Sequence, residues 1–102
     1  MNKVQITVME KTFNEKYVQE YGVEQIGPCP LLEEGQTFIT RFEKPADFCE
    51  EAWSALQKYV FALSAGADNF FDHRWTRDDG KLIVCCNDGL RPVIFKLEVL
   101  KE

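Results

Sequence analysis

Val84-Cys85-Cys86-Asn87-Asp88-Gly89-Leu90-Arg91-Pro92-Val93-Ile94-Phe95-Lys96-Leu97-Glu98 reads as a strand, a sharp turn and a second strand. Asp88-Gly89 suits a turn that needs positive φ, and Pro92 fixes φ where the closing strand begins. Beyond Pro92, Val93, Phe95, Leu97 and Val99 alternate with Ile94, Lys96 and Glu98, which predicts a half-buried strand from Pro92 to Leu100. Ahead of the turn, Leu82, Val84 and Cys86 share one phase while Ile83 and Cys85 share the other. Both phases carry apolar residues, so the pattern leaves open which cysteine faces the core. Asp78-Asp79-Gly80 predicts a hairpin turn between a short strand near Arg74–Arg77 and the strand Leu82–Cys86.

A closing strand needs a partner. Val4, Ile6 and Val8 alternate with Gln5 and Thr7, so residues 3–9 predict a strand suited to pair with it. Phe13, Tyr17 and Tyr21 stand four residues apart, which predicts a short helix from Asn14, as N-cap, to Tyr21, with Gly22 just past its end. Residues 22–36 hold Gly22, Gly27, Pro28, Pro30 and Gly35 and read as loop. Gln36–Phe42 alternates again and predicts another strand. Asp47–Ala65 is the main helix: Asp47 and Glu50 suggest a capping box, Cys49, Trp53, Leu56, Val60 and Leu63 line one face, and Gly66 follows its end. The expected fold is α+β: an antiparallel sheet of four to five strands, one long helix across one face and a short N-terminal helix. Residues 1–102 are expected to form one domain.

The composition excludes several classes. Lysine and arginine total 12 against 17 acidic residues, a net charge of −5, so a nucleic-acid partner is not expected. No apolar run approaches the ~20 residues that span a bilayer, and no membrane partner is expected. No signal-peptide pattern stands at the N-terminus, which sets a cytoplasmic expectation. Four cysteines without a secretory signal read as buried thiols, a redox pair or a metal site rather than disulfides.

The residues that could carry chemistry are the thiols and the turn. Cys29 lies between Pro28 and Pro30 on a stiff segment. Cys49 falls in the first turn of the main helix, where amides and dipole favour an anion. Cys85 and Cys86 leave opposite faces of one strand. Cys29, Cys49 and one of Cys85/Cys86 come from separate segments that can bring them together, but buried structural thiols are the expected reading, since free cysteine packs as a small hydrophobe; were a metal bound, Cys29, Cys49, Cys85 and Cys86 are the candidate ligands. No C-x-x-C and no zinc-type spacing occurs, and no cofactor is expected, with a metal as the lesser alternative. Asp88 and Arg91 read as an internal pair or as the polar mouth of a pocket, and Trp53 as an aromatic beside it. His73, the one histidine, reads as a surface residue between charged neighbours. No phosphate-binding glycine loop or nucleophile elbow is present.

Four blocks run in order along most of the chain: Gly27-Pro28-Cys29; Glu34-Gly35-Gln36 with Phe38; Lys44-Pro45, Phe48-Cys49 and Ala52-Trp53; and Cys85-Cys86, Asp88-Gly89, Arg91-Pro92-Val93 and Phe95-Lys96-Leu97-Glu98. In these the chain resembles a family of bacterial and archaeal proteins of about this length for which no activity is established. The resemblance implies that the thiols belong to the pattern. In that pattern a glycine ordinarily precedes Phe-Cys, where this chain has Asp47, and threonine is common where Asn87 stands. The expected function is a binding module for an unknown small molecule or protein partner, with a pocket near the cysteines and the Asp88–Arg91 turn. The alternative is a thiol-based redox or metal-binding protein using Cys29, Cys49 and Cys85/Cys86. Whether either is an enzyme is left open by the sequence.

Overall fold

The computed structural model describes residues 1–101. The elements are β1 (Lys3–Lys11), α1 (Glu15–Tyr21), β2 (Thr37–Thr40), α2 (Glu50–Ser64), β3 (Lys81–Cys85) and β4 (Val93–Leu100). The four strands form one sheet in the order β2-β1-β4-β3. Every neighbouring pair is antiparallel. β1 and β4 pair from Lys3↔Leu100 to Lys11↔Val93, with a bulge between Val8 and Glu10. The alternation in both strands dictates the register, because a one-residue slip would turn the apolar set to solvent.

One face of the sheet is covered by α2. Val4, Ile6, Val8, Leu82, Val93, Phe95 and Leu97 meet Ala52, Leu56, Val60 and Leu63 there, all buried, and Leu32 and Phe48 close the core from the loops. Lys3, Gln5 and Thr7 occupy the opposite phase of β1 and stay partly exposed. At its C-terminus α2 ends in a Schellman motif: Gly66, at φ 115°, donates to Leu63 O at 3.2 Å, and Ala67 donates to Ala62 O at 2.9 Å. α1 ends differently. Gly22 is extended (φ −75°), and a Cβ there would meet Val18 O at 2.8 Å.

Three expectations are corrected. First, the strand expected near Arg74–Arg77 does not form. Phe71, Asp72 and His73 make one turn with φ of 55°, 56° and 61°, and Phe70 and Trp75 pack on Tyr59 of α2, each with ring centroids 5.6 Å from it. Aromatic packing on the helix wins over extension, and the sheet keeps four strands.

Second, α2 starts at Glu50, not Asp47. Cys49 is the N-cap, in extended conformation (φ −64°, ψ 128°), so it precedes the first turn and provides no side-chain cap. Asp47 is not a cap because its backbone is left-handed, φ 62°, within a turn that Phe48 N–H closes onto Pro45 O at 3.3 Å. That conformation is open to glycine, tolerated by aspartate and asparagine, and strained for other residues. Asp47→Gly is expected to leave stability nearly unchanged, because aspartate carries only part of the ~1–2 kcal/mol left-handed penalty and its relief is offset by ~0.4–1 kcal/mol of added unfolded-state freedom. Asp47→Ala is expected to lose ~1 kcal/mol. Urea unfolding of both variants checks the pair.

Third, Leu56, Val60 and Leu63 are fully buried, but Trp53 is only partly so. Trp53 lies edge-on to Phe48, with ring centroids 6.2 Å apart, at the margin of the core. Trp53→Ala is therefore expected to cost less than the ~3–5 kcal/mol of a fully buried aromatic, and its denaturation midpoint to stay well above that of a Phe48 truncation.

Candidate functional site

Three segments meet beside the N-terminus of α2. The first is the loop carrying Cys29. Lys11 at the end of β1 holds it: its N–H donates to Glu34 Oε2 at 2.9 Å and its Nζ donates to Leu32 O at 3.0 Å, while the Leu32 side chain plugs the core. The second is the turn between Phe48 and α2. The third is the β3–β4 turn, which Asp88 organises. Asp88 Oδ1 accepts the Leu90 N–H at 2.9 Å and the Arg91 N–H at 3.2 Å, and Oδ2 accepts Arg91 Nε at 2.9 Å. This is an Asx-type turn, the local reason for an aspartate three residues before the arginine. Asn14 clasps the turn from outside, its N–H donating to Leu90 O at 2.8 Å and its Nδ2 to Gly89 O at 2.6 Å. Asn87 Nδ2 donates to Glu51 O at 3.2 Å and so ties the turn to α2.

These segments enclose a pocket of about 320 Å³ lined by Cys29, Leu31, Cys49, Glu51, Cys86 and Asn87, with Asp88 and Arg91 at its polar side. That volume lies at the small end of the ~300–1,000 Å³ typical of ligand pockets. All four cysteines are free thiols. Strand phase decides between the adjacent pair. Cys86 follows Leu82 and Val84 onto the helix-covered face, and its Sγ accepts the Val93 N–H at 3.3 Å. Cys85 follows Ile83 onto the open face and is exposed, so it does not join the other three. Trp53 also stays outside, against Phe48. Among the described residues, no group of three or more His, Cys, Asp or Glu side chains is placed to hold a metal ion, and the four-cysteine set is not brought together.

The electrostatics centre on Arg91. The Asp88 carboxylate, hydrogen-bonded to it, holds the guanidinium above its ordinary value against desolvation, and the Cys29 and Cys86 sulfurs add smaller contributions in the same direction. Asp88 moves the other way. Burial raises it, but the hydrogen bonds from the Arg91 side chain and from the Leu90 and Arg91 amides outweigh burial and hold it below its ordinary 3.8. Stability from a depressed carboxylate is present above the unfolded-state value and is lost as pH falls through the folded one. The wild type is therefore expected to lose stability below pH 3.8 that an Asp88→Asn variant does not lose, which acid-unfolding curves of the two proteins measure.

No family model, curated protein or solved structure matches the chain. What the site can do is read from its own geometry. Among the described residues, only Nε of the Arg91 guanidinium is engaged, which leaves its two terminal nitrogens to a ligand. The first amides of α2 have no side-chain cap and carry the positive end of the helix dipole. Glu51 joins no ion pair among the described residues. The pocket thus offers a cation, a carboxylate and a soft apolar wall of three thiols and Leu31. Leu31 and Glu51 carried no sequence signal of a site, since an exposed leucine and a first-turn acid are ordinary features of loops and helices.

Other candidates are placed elsewhere. A larger but shallower groove of about 520 Å³ runs beside β3 between Tyr59, Trp75 and Ile83 and adjoins the first pocket, since Cys86 and Asn87 line both and Cys85 lines only the groove. Lys58 is its one lysine or arginine, and no carboxylate lines it. His73 is exposed, 3.6 Å from Asp79 Oδ1. Arg74, Arg77 and Lys81 are each matched with an acid, Asp72, Asp78 and Glu98 respectively. Among the described residues no helix is long and apolar enough to cross a membrane.

Proposed function

We propose that this protein is a small-molecule-binding module whose ligand carries a carboxylate on a compact, sulfur-compatible apolar body. The observation that supports it is the convergence of Cys29, Cys49 and Cys86 from three separate segments around a guanidinium with two unengaged nitrogens. A carboxylate accepts two parallel hydrogen bonds from such a fork, and the α2 amides add to the same field. Thiols and a leucine form a polarisable wall for the body of the ligand. The groove beside β3 supports this role less well, because Lys58 is its one cation and it offers no guanidinium fork to fix a carboxylate's orientation.

Thermal unfolding with propionate, L-methionine and inorganic phosphate tests the reading. A ligand that binds only the folded state raises the midpoint in proportion to ln(1 + [L]/Kd). L-methionine is expected to raise it most, propionate less and phosphate least, and Arg91→Ala is expected to abolish the ordering. Equal midpoints in all three solutions, or the same response from Arg91→Ala, contradict the reading.

A further inference from the structure

We infer that the pocket takes a low-molecular-weight disulfide of a zwitterionic amino-acid thiol, of which L-cystine is the simplest, and that Cys86 exchanges with it. The inference rests on the binding reading above and names the ligand class and chemistry of the same site. Its charges carry the first half. Arg91 with the α2 amides matches a carboxylate, and Glu51, an exposed carboxylate at the edge of the same pocket with no ion-pair partner among the described residues, matches an α-ammonium. The wall carries the second half: three free thiols line the space where the body of such a ligand lies.

Cys86 is singled out among them. Its Sγ is the one thiol sulfur that accepts a hydrogen bond among the described residues, from the Val93 N–H at 3.3 Å, which fixes its direction. It also lies within electrostatic reach of Arg91, as Cys29 does. In thiol–disulfide exchange negative charge spreads over the attacking, central and leaving sulfurs, so a fixed cation beside them lowers the barrier. The step balances without a further reactant. The Cys86 proton passes to solvent, the thiolate attacks one ligand sulfur, and a Cys86–ligand S–S bond forms as the ligand's own S–S bond breaks. The departing half leaves as a thiolate and takes a proton from solvent. Cys86 is oxidised to the mixed disulfide, and one half of the ligand is reduced to the free thiol.

The test uses the full chain, reduced, at neutral pH. L-cystine, cystamine (which lacks the carboxylates) and 3,3′-dithiodipropionate (which lacks the ammonium groups) are compared by peptide mass mapping. Each rate is normalised to the same disulfide's reaction with free glutathione. Cys86 is expected to react with L-cystine about tenfold or more faster than with either analogue, the range for losing one charge-assisted hydrogen bond. Cys85, adjacent and more exposed, is expected to show no such preference. Arg91→Lys and Glu51→Gln are expected to narrow the preference against cystamine and dithiodipropionate respectively. Equal normalised rates at Cys86 for all three disulfides, or modification mainly at Cys85, overturn the inference. L-lanthionine, the thioether analogue that cannot exchange, separates the two levels. Binding of lanthionine without reaction of cystine removes the exchange and keeps the binding reading; absence of both removes both.

Discussion

Phe48→Ala is expected to destabilise the protein by ~3–5 kcal/mol, the range for truncating a buried large aromatic. Phe48 is 4% exposed and is the hub of the aromatic packing: its ring centroid lies 4.9 Å from Phe38, 5.7 Å from Phe95 and 6.2 Å from Trp53. It therefore joins β2, β4 and α2 at one point. The turn at Asp47 leads directly into this ring, and the residue after it, Cys49, is the α2 N-cap beside the pocket. Phe42→Ala is the control, since Phe42 is 42% exposed and touches Phe61 only at a centroid distance of 6.5 Å; it is expected to cost ~1 kcal/mol or less. Urea unfolding of the two variants decides. A Phe48→Ala loss below ~1 kcal/mol contradicts the packing account.

The second large effect is on binding. Arg91→Ala is expected to weaken a carboxylate ligand about ten- to a hundredfold, the range for removing charge-assisted hydrogen bonds from a partly enclosed site. Arg91→Lys is expected to recover only part of this, because an ammonium cannot offer two parallel donors. The Ala variant also leaves Asp88 without its side-chain donor, though the Leu90 and Arg91 amides still bond its Oδ1. The turn is therefore expected to survive the change, and the loss to appear in affinity more than in folding. Calorimetric titration alongside circular dichroism distinguishes the two.

Much of this architecture is legible in the residues. The period-two patterns of residues 3–9 and 92–100 specify both central strands, because each has an apolar face that only one register buries. Asp88, Gly89 and Pro92 specify the turn between β3 and β4 by the backbone each residue type prefers. The candidate site is half legible. Proline on both sides of Cys29 and the Asp88–Arg91 spacing mark residues that the structure brings to one concavity, but strand phase alone does not say which face a helix will cover, so the sequence does not separate Cys85 from Cys86. Asp47 and Glu50 imitate a capping box, and the positive φ that defeats it depends on Phe48 reaching the core, a tertiary requirement. The strand expected near Arg74–Arg77 fails to form for a related reason. Its turn signals are real, but Phe70 and Trp75 gain more by packing on Tyr59 than by pairing at a sheet edge.

Amide chemical-shift mapping with L-lanthionine tests the central claim, that the concavity between the thiols and Arg91 is where this protein binds its ligand. Saturable shifts are predicted at Cys29, Leu31 and Cys49 and at Asp88 to Arg91, with the amides beside Tyr59, Trp75 and Ile83 unmoved. Cys86 and Asn87 border both concavities and decide nothing. Shifts confined to Tyr59, Trp75 and Ile83, with Cys29, Cys49 and Asp88–Arg91 silent, would contradict it.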